Sequence, residues 1–170
     1  MITASVSKRL IEQITKEFYS AYLYLDFANY YNLAGLAGFA NWFTVQAQEE
    51  RDHALLFSKY LLNNGIAPVL GAMESPTAAY ADYKAPLDAA LAHERYITAS
   101  IYDIYTEAST MKDYRTIQFL DWFVKEQGEE EKNAEDLIRK FDLFGLESKS
   151  LYMLDAELAA RIYAPPSLII

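Results

Sequence analysis

The sequence predicts an all-α protein: a four-helix bundle with one long crossover and a short fifth helix at its C-terminal end. Three observations lead there. Four long segments carry helical periodicity, one central link is far longer than the others, and polar residues interrupt each apolar seam at mid-length. A chain of 170 residues fits a single domain over 1–170, with the bundle at about 6–144 and the short helix at about 150–163.

The first helix is expected from about Val6 to Ala34, ending before Gly35 and Gly38. The second runs from about Phe39 to Asn64 and stops at Gly65. The third begins near Pro86, a favourable first-turn residue, and runs to about Thr110. The fourth runs from about Tyr114 to Phe144, before Gly145. The fifth spans about Ser150 to Tyr163, where Pro165 and Pro166 follow. Links 35–38 and 111–113 are short, so the helices they join should be antiparallel neighbours. Link 65–83 holds Gly65, Pro68, Gly71 and Pro76. About eighteen extended residues reach roughly 60 Å, against about 38 Å for a 25-residue helix. The link can therefore run the length of the bundle and leave the second and third helices parallel.

Composition narrows the function. Hydrophobic residues make up 52% and charged residues 23%, which fits a globular chain rather than a disordered one. There is no cysteine, which removes disulfides, Cys-ligated zinc and Cys-ligated iron–sulfur clusters. A net charge of −9 speaks against a nucleic-acid partner and suits cationic cargo. No signal-peptide pattern or membrane-length apolar run is seen, so the expected location is cytoplasmic, with no membrane partner. The 14 tyrosines suggest rings between helices or between subunits.

A core seam alternates steps of three and four residues. On the first helix it reads Leu10, Ile14, Glu17, Ala21, Tyr24, Ala28 and Tyr31. On the second it reads Phe39, Phe43, Gln46, Glu50, His53, Phe57 and Tyr60. The third gives Leu87, Leu91, Glu94, Thr98, Ile101 and Tyr105, and the fourth Leu120, Phe123, Gln127, Glu130, Ala134, Leu137 and Phe141. Taken singly, Glu50, His53 or Glu94 would read as a solvated or satisfied side chain. Their joint placement at mid-seam does not, because burying unpaired carboxylates costs several kcal/mol or more each. Two divalent cations would balance Glu17, Glu50, Glu94 and Glu130. Glu50 and His53, at i and i+3, reach one metal together. Di-iron bundles take one Glu from each of two helices and Glu-x-x-His from the other two. Here the fourth helix departs, with Gln127-x-x-Glu130. His93, off the seam, reads as structural or exposed. Tyr24 is either a core ring with a hydroxyl partner or an electron donor or hydrogen-bond partner near the metals. Trp122 lies near the polar layer but off the seam.

These residues resemble the bacterial non-haem ferritins over essentially the whole chain. The likeness rests on Glu17 with Ser20-Ala21-Tyr22-Leu23-Tyr24-Leu25, on Glu49-Glu50-Arg51-Asp52-His53-Ala54, on Glu94, and on Glu126-Gln127-Gly128-Glu129-Glu130, with the crossover and short fifth helix. The resemblance implies a ferritin-like fold and iron storage. Fe(II) would be oxidised by oxygen at a di-iron ferroxidase centre and kept as ferric mineral in a hollow homo-oligomeric shell of 24 subunits. It implies one iron at Glu17, Glu50 and His53, a second at Glu50, Glu94 and Glu130, Gln127 beside them, and a third iron site at Glu49, Glu126, Glu129 and Glu130. The sister bacterioferritins bind haem through a methionine directly after the Glu of Glu-x-x-His. Arg51 stands there, so haem is not expected. The alternative is a solitary di-iron oxidase or peroxidase of the rubrerythrin type, without mineral storage.

Overall fold

A computed structural model describes residues 2–76 and 79–170. Positions 77 and 78 of the predicted link, and Met1, lie outside the described residues. The chain forms five helices: α1 (Ala4–Leu33), α2 (Ala37–Asn63), α3 (Ala85–Thr110), α4 (Tyr114–Phe144) and α5 (Ser148–Leu158). Among the described residues there is no strand, and no helix is long and apolar enough to cross a membrane.

Local chemistry sets the ends. Thr3 caps α1 by accepting from the Val6 N–H at 3.4 Å, and Asp113 caps α4 by accepting from the Thr116 N–H at 3.2 Å. The turns after α1 and α2 place Gly35 at φ 79° and Gly65 at φ 75°, a left-handed backbone that glycine adopts without steric cost.

The core divides into two apolar clusters. One joins Phe27 and Tyr31 of α1, Phe39 and Phe43 of α2, Leu87 and Ala90 of α3, and Leu137 and Phe141 of α4. The other joins Val6, Leu10 and Ile14, then Phe57 and Leu61, then Ile97, Ile101 and Ile104, then Phe119, Leu120 and Phe123. The start of α1 thus meets the end of α2, and the end of α3 meets the start of α4, so both pairs are antiparallel. The start of α2 shares a cluster with the start of α3, which makes those two parallel. The crossover meets α1 at three points among the described residues. Gly71 N–H donates to Thr15 Oγ1 at 3.3 Å, Tyr80 OH to Asp26 Oδ2 at 2.6 Å, and Tyr31 OH to the Tyr83 carbonyl at 2.6 Å.

The fifth helix is shorter than expected. It ends at Leu158 rather than running to Tyr163. Beyond it, Arg161 leaves the helical path to meet partners on α2, so the turn comes before the prolines. Its other end starts early, at Ser148, because Glu147 accepts from the Ser150 N–H at 3.1 Å.

The α5 helix docks on the first turn of α2. Asp155 Oδ1 accepts from the N–H groups of Gly38 at 2.8 Å and Phe39 at 3.0 Å, two donors that no helical carbonyl can satisfy. A Cβ on Gly38 would stand 1.7 Å from the Asp155 carbonyl oxygen. Gly38→Ala is therefore expected to force α5 off the bundle, while Asp155→Ala, which only removes the cap, should cost about 1 kcal/mol. Thermal melts and proteolysis within 148–158 check this. Equal behaviour of the two variants would show that the close approach does not matter.

Candidate metal centre

Between the two apolar clusters lies a polar layer. Glu17, Glu50, Glu94 and Glu130 are 1%, 2%, 3% and 6% exposed, and His53 is 2% exposed. One carboxylate comes from each helix of the bundle. Carboxylate oxygens of Glu17 and Glu50 and a ring nitrogen of His53 all lie within 4.8 Å of one another, the one such three-residue group among the described residues. His53 Nδ1 is 3.3 Å from Glu50 Oε2.

Every carboxylate receives at least one neutral donor. Gln13 Nε2 donates to Glu17 Oε1 at 2.8 Å. Gln46 Nε2 donates to Glu50 Oε1 at 3.3 Å and to Glu130 Oε2 at 2.6 Å. Gln127 Nε2 donates to Glu94 Oε2 at 3.2 Å, and Tyr24 OH donates to Glu94 Oε1. Glu17 Oε2 is buried with no hydrogen-bond partner. Amides and a phenol cannot neutralise charge. Burial, and then the Glu50 charge, push the Glu17 and Glu94 carboxyls up to about 8. Burial raises Glu130 as well, with the Glu94 charge next, and raises Glu50 well above the usual range, with Glu130 next. An orphaned oxygen, an imidazole and a set of carboxyls starved of positive charge are the donor set a hard or borderline divalent cation takes. In that sense Glu17, Glu50 and His53 fit a metal ion.

The residues expected at a third site are less gathered. Glu49 is ion-paired to Arg161 at 2.5 Å. Burial raises its carboxyl despite that cation, and burial raises Glu126 too. Glu129 is exposed and pairs with Lys125 at 3.1 Å. Tyr24 is buried against Glu94, and burial lifts its phenol well above the usual range. His93 stands apart from the layer. Its Nε2 lies 2.7 Å from Ser20 Oγ, and burial lowers its pKa to about 4. Trp122 meets the edge of the His53 ring at 5.6 Å between centroids.

Three supporting residues have no place among the expected ligands: Gln13, Gln46 and Arg161. Gln13 does carry a signal, since Gln13-x-x-x-Glu17 and Gln46-x-x-x-Glu50 repeat one spacing on two helices. Arg161 carries none, because its partners lie more than a hundred residues away.

Known proteins bear on this geometry. The profile of the ferritin-like domain matches residues 7–144. A probable bacterial non-heme ferritin-like protein of Haemophilus influenzae is 34% identical, covering 93% of this chain and 96% of its own. A bacterial non-heme ferritin of Staphylococcus epidermidis is 33% identical over 96% of this chain and 98% of its own. Among solved structures, an open-pore ferritin of the archaeon Archaeoglobus fulgidus superposes with a TM-score of 0.93 at 38% identity, over 95% of this chain and 100% of that one. A closed form of the same ferritin, engineered by mutagenesis, gives 0.94 at 37% identity over 96% and 100%.

The raised carboxyls have a signed consequence. Between the ordinary carboxyl value of 4.5 and about 8, the folded metal-free protein keeps protons on Glu17 and Glu94 that the unfolded chain has released. Stability from these groups therefore falls as pH rises through that window. His93 acts oppositely, but only between about 4 and 6.5. From pH 6.5 to 8 the melting temperature of the metal-free protein should fall. Redox-silent Zn(II) should abolish the decline and release protons on binding at pH 7. A flat metal-free profile with no proton release would show that the layer is already ionised.

Proposed function

This chain belongs to the ferritin family, and on that footing we propose that it is an iron-storage subunit that oxidises Fe(II) with oxygen at the Glu17, Glu50, His53, Glu94 and Glu130 layer. The observation that carries the reading is the convergence of Glu17, Glu50 and His53 in a buried layer whose carboxylates are bonded by no lysine or arginine among the described residues. Iron is substrate and cargo here. One ion sits at Glu17, Glu50 and His53, the other at Glu50, Glu94 and Glu130, with Glu50 between them and Gln127 alongside. Four carboxylates offset the four positive charges of two ferrous ions, and they stabilise the ferric product further by charge alone. Two Fe(II) supply two electrons, enough to reduce one oxygen molecule to the level of hydrogen peroxide. The apolar clusters above and below keep bulk water from the reacting pair.

The protein's part is to hold positions. Gln13 and Gln46 orient Glu17, Glu50 and Glu130, and Tyr24 fixes Glu94. Tyr24 would also give an electron, a role supported by the hydrogen bond from its hydroxyl to Glu94, a proposed ligand. Glu49, Glu126 and Glu129, with Glu130, form the third, looser iron site on the flank of the bundle. Haem is absent from this scheme, since Arg51 offers no thioether and its guanidinium is engaged by Asp52 at 2.8 Å.

Storage requires a shell, proposed here as 24 copies enclosing ferric mineral. Supporting it, Tyr22, Leu25, Val69, Leu70 and Met73 leave large apolar groups exposed along α1 and the crossover. Incubating the protein with Fe(II) in air, then sizing and imaging it, tests the whole reading. Large particles with dense cores are expected, and a monomer without mineral would refute storage. Glu50→Ala and His53→Ala should cut initial oxidation by more than the roughly 10–100-fold that loss of a supporting partner causes, with assembly intact. Stopped-flow absorbance at early times reads this, and wild-type rates in both variants would remove the residues from the site.

A further inference from the structure

The C-terminal segment beyond α5 does not trail into solvent. Arg161 Nη1 donates to Gln46 Oε1 at 2.8 Å and to the Trp42 carbonyl at 3.3 Å. Its Nη2 donates to Glu49 Oε2 at 2.5 Å, and its guanidinium lies 4.1 Å over the Trp42 ring. Further along, Tyr163 OH donates to Asp52, and Ser167 Oγ accepts from Trp122 Nε1 at 3.0 Å. Leu168 and Ile170 rest on the second apolar cluster. The segment is thus tied to α2 and α4 on the side where Glu49 stands.

Gln46 explains why this matters. An amide has one accepting and one donating end. With Arg161 donating to Oε1, Nε2 must face inward, where it meets both Glu50 and Glu130. The same guanidinium takes Glu49 with its other nitrogen. One planar fork therefore satisfies a residue that holds the paired site and a residue of its flank.

We propose that Arg161 is a positioning latch: it holds Gln46 toward Glu50 and Glu130, and its guanidinium takes the place beside Glu49 that a third cation would occupy. The inference rests on the proposed paired site and on the proposed third site at Glu49. Filling the flank then requires the latch to open, so cation binding at Glu49 and seating of residues 161–170 exclude each other. Arg161 lies beyond the stretch that the family profile matches.

Zn(II) titration of the whole metal-free protein tests this without turnover. Calorimetry counts the ions, and the emission of Trp42 reports the latch in a Trp122→Phe background, where Trp42 is the remaining tryptophan. Two tight equivalents per subunit are expected, then a weaker third that alone changes Trp42 emission. In Arg161→Ala the third should tighten on the order of tenfold while the emission change disappears. In Arg161→Lys, which keeps the charge without the fork, it should lie between. An unchanged third affinity in Arg161→Ala, no third equivalent in any variant, or emission indifferent to the third ion would overturn the latch while leaving the paired site standing. Fewer than two tight equivalents in the wild type would overturn the paired site and the latch together. Should Arg161→Ala fail to assemble, Arg161→Lys carries the comparison alone, and a wild-type third affinity there overturns the proposal.

Discussion

Four carboxylates buried in one layer, one from each long helix, set the terms for the rest of this bundle. Taking them out of water is so unfavourable that the surrounding sequence is largely organised around them. Gln13, Gln46, Gln127 and Tyr24 supply hydrogen bonds but no charge. Without a cation, burial and then the Glu50 charge push the Glu17 and Glu94 carboxyls up to about 8, so near pH 7 they keep their protons. A fully satisfied core would have used arginine or lysine here. Among the described residues no arginine or lysine bonds these carboxylates, which suits the proposed metal receptor better than a purely structural network.

Holding that layer together is the work of the two apolar clusters. Phe57 and Phe123 stack at 4.2 Å, and Tyr60 and Phe119 at 4.1 Å, on one side of it. Tyr31 lies between Phe39 at 5.0 Å and Phe43 at 5.7 Å on the other. Such rings bury large areas in fixed geometry. The parallel arrangement of α2 and α3 is what lets the crossover lie along α1, where Thr15, Asp26 and Tyr31 receive it.

Much of this was legible from spacing. All seven seam residues of α1 and all seven of α2 are buried. On α3 the seam slips. Ala90, Ile97 and Ile104 are buried, while Leu91 and Tyr105 are only partly so. Steps of three and four residues leave neighbouring registers nearly equivalent when both neighbours are apolar, and on α3 they are. Leu87, Glu94, Thr98 and Ile101 are buried as the seam predicts, so the slip is confined to Leu91 and Tyr105. On α4, Ala134 is only partly buried for lack of bulk to reach inward. The end of α5 was misjudged because prolines mark where a helix must stop, whereas a distant ion pair made this one stop sooner. Arg161 and its partners are a tertiary fact, and no window of local sequence contains it.

Because the carboxylate layer cuts the core in two, the apolar compartments on either side share few contacts. Energetic coupling between substitutions decays when residues have no common partner. Sequence drift in the Phe27–Phe141 compartment should therefore be nearly blind to drift in the Phe57–Phe123 compartment. Each half can be rebuilt by mutation on its own schedule, and only the polar layer between them has to remember both.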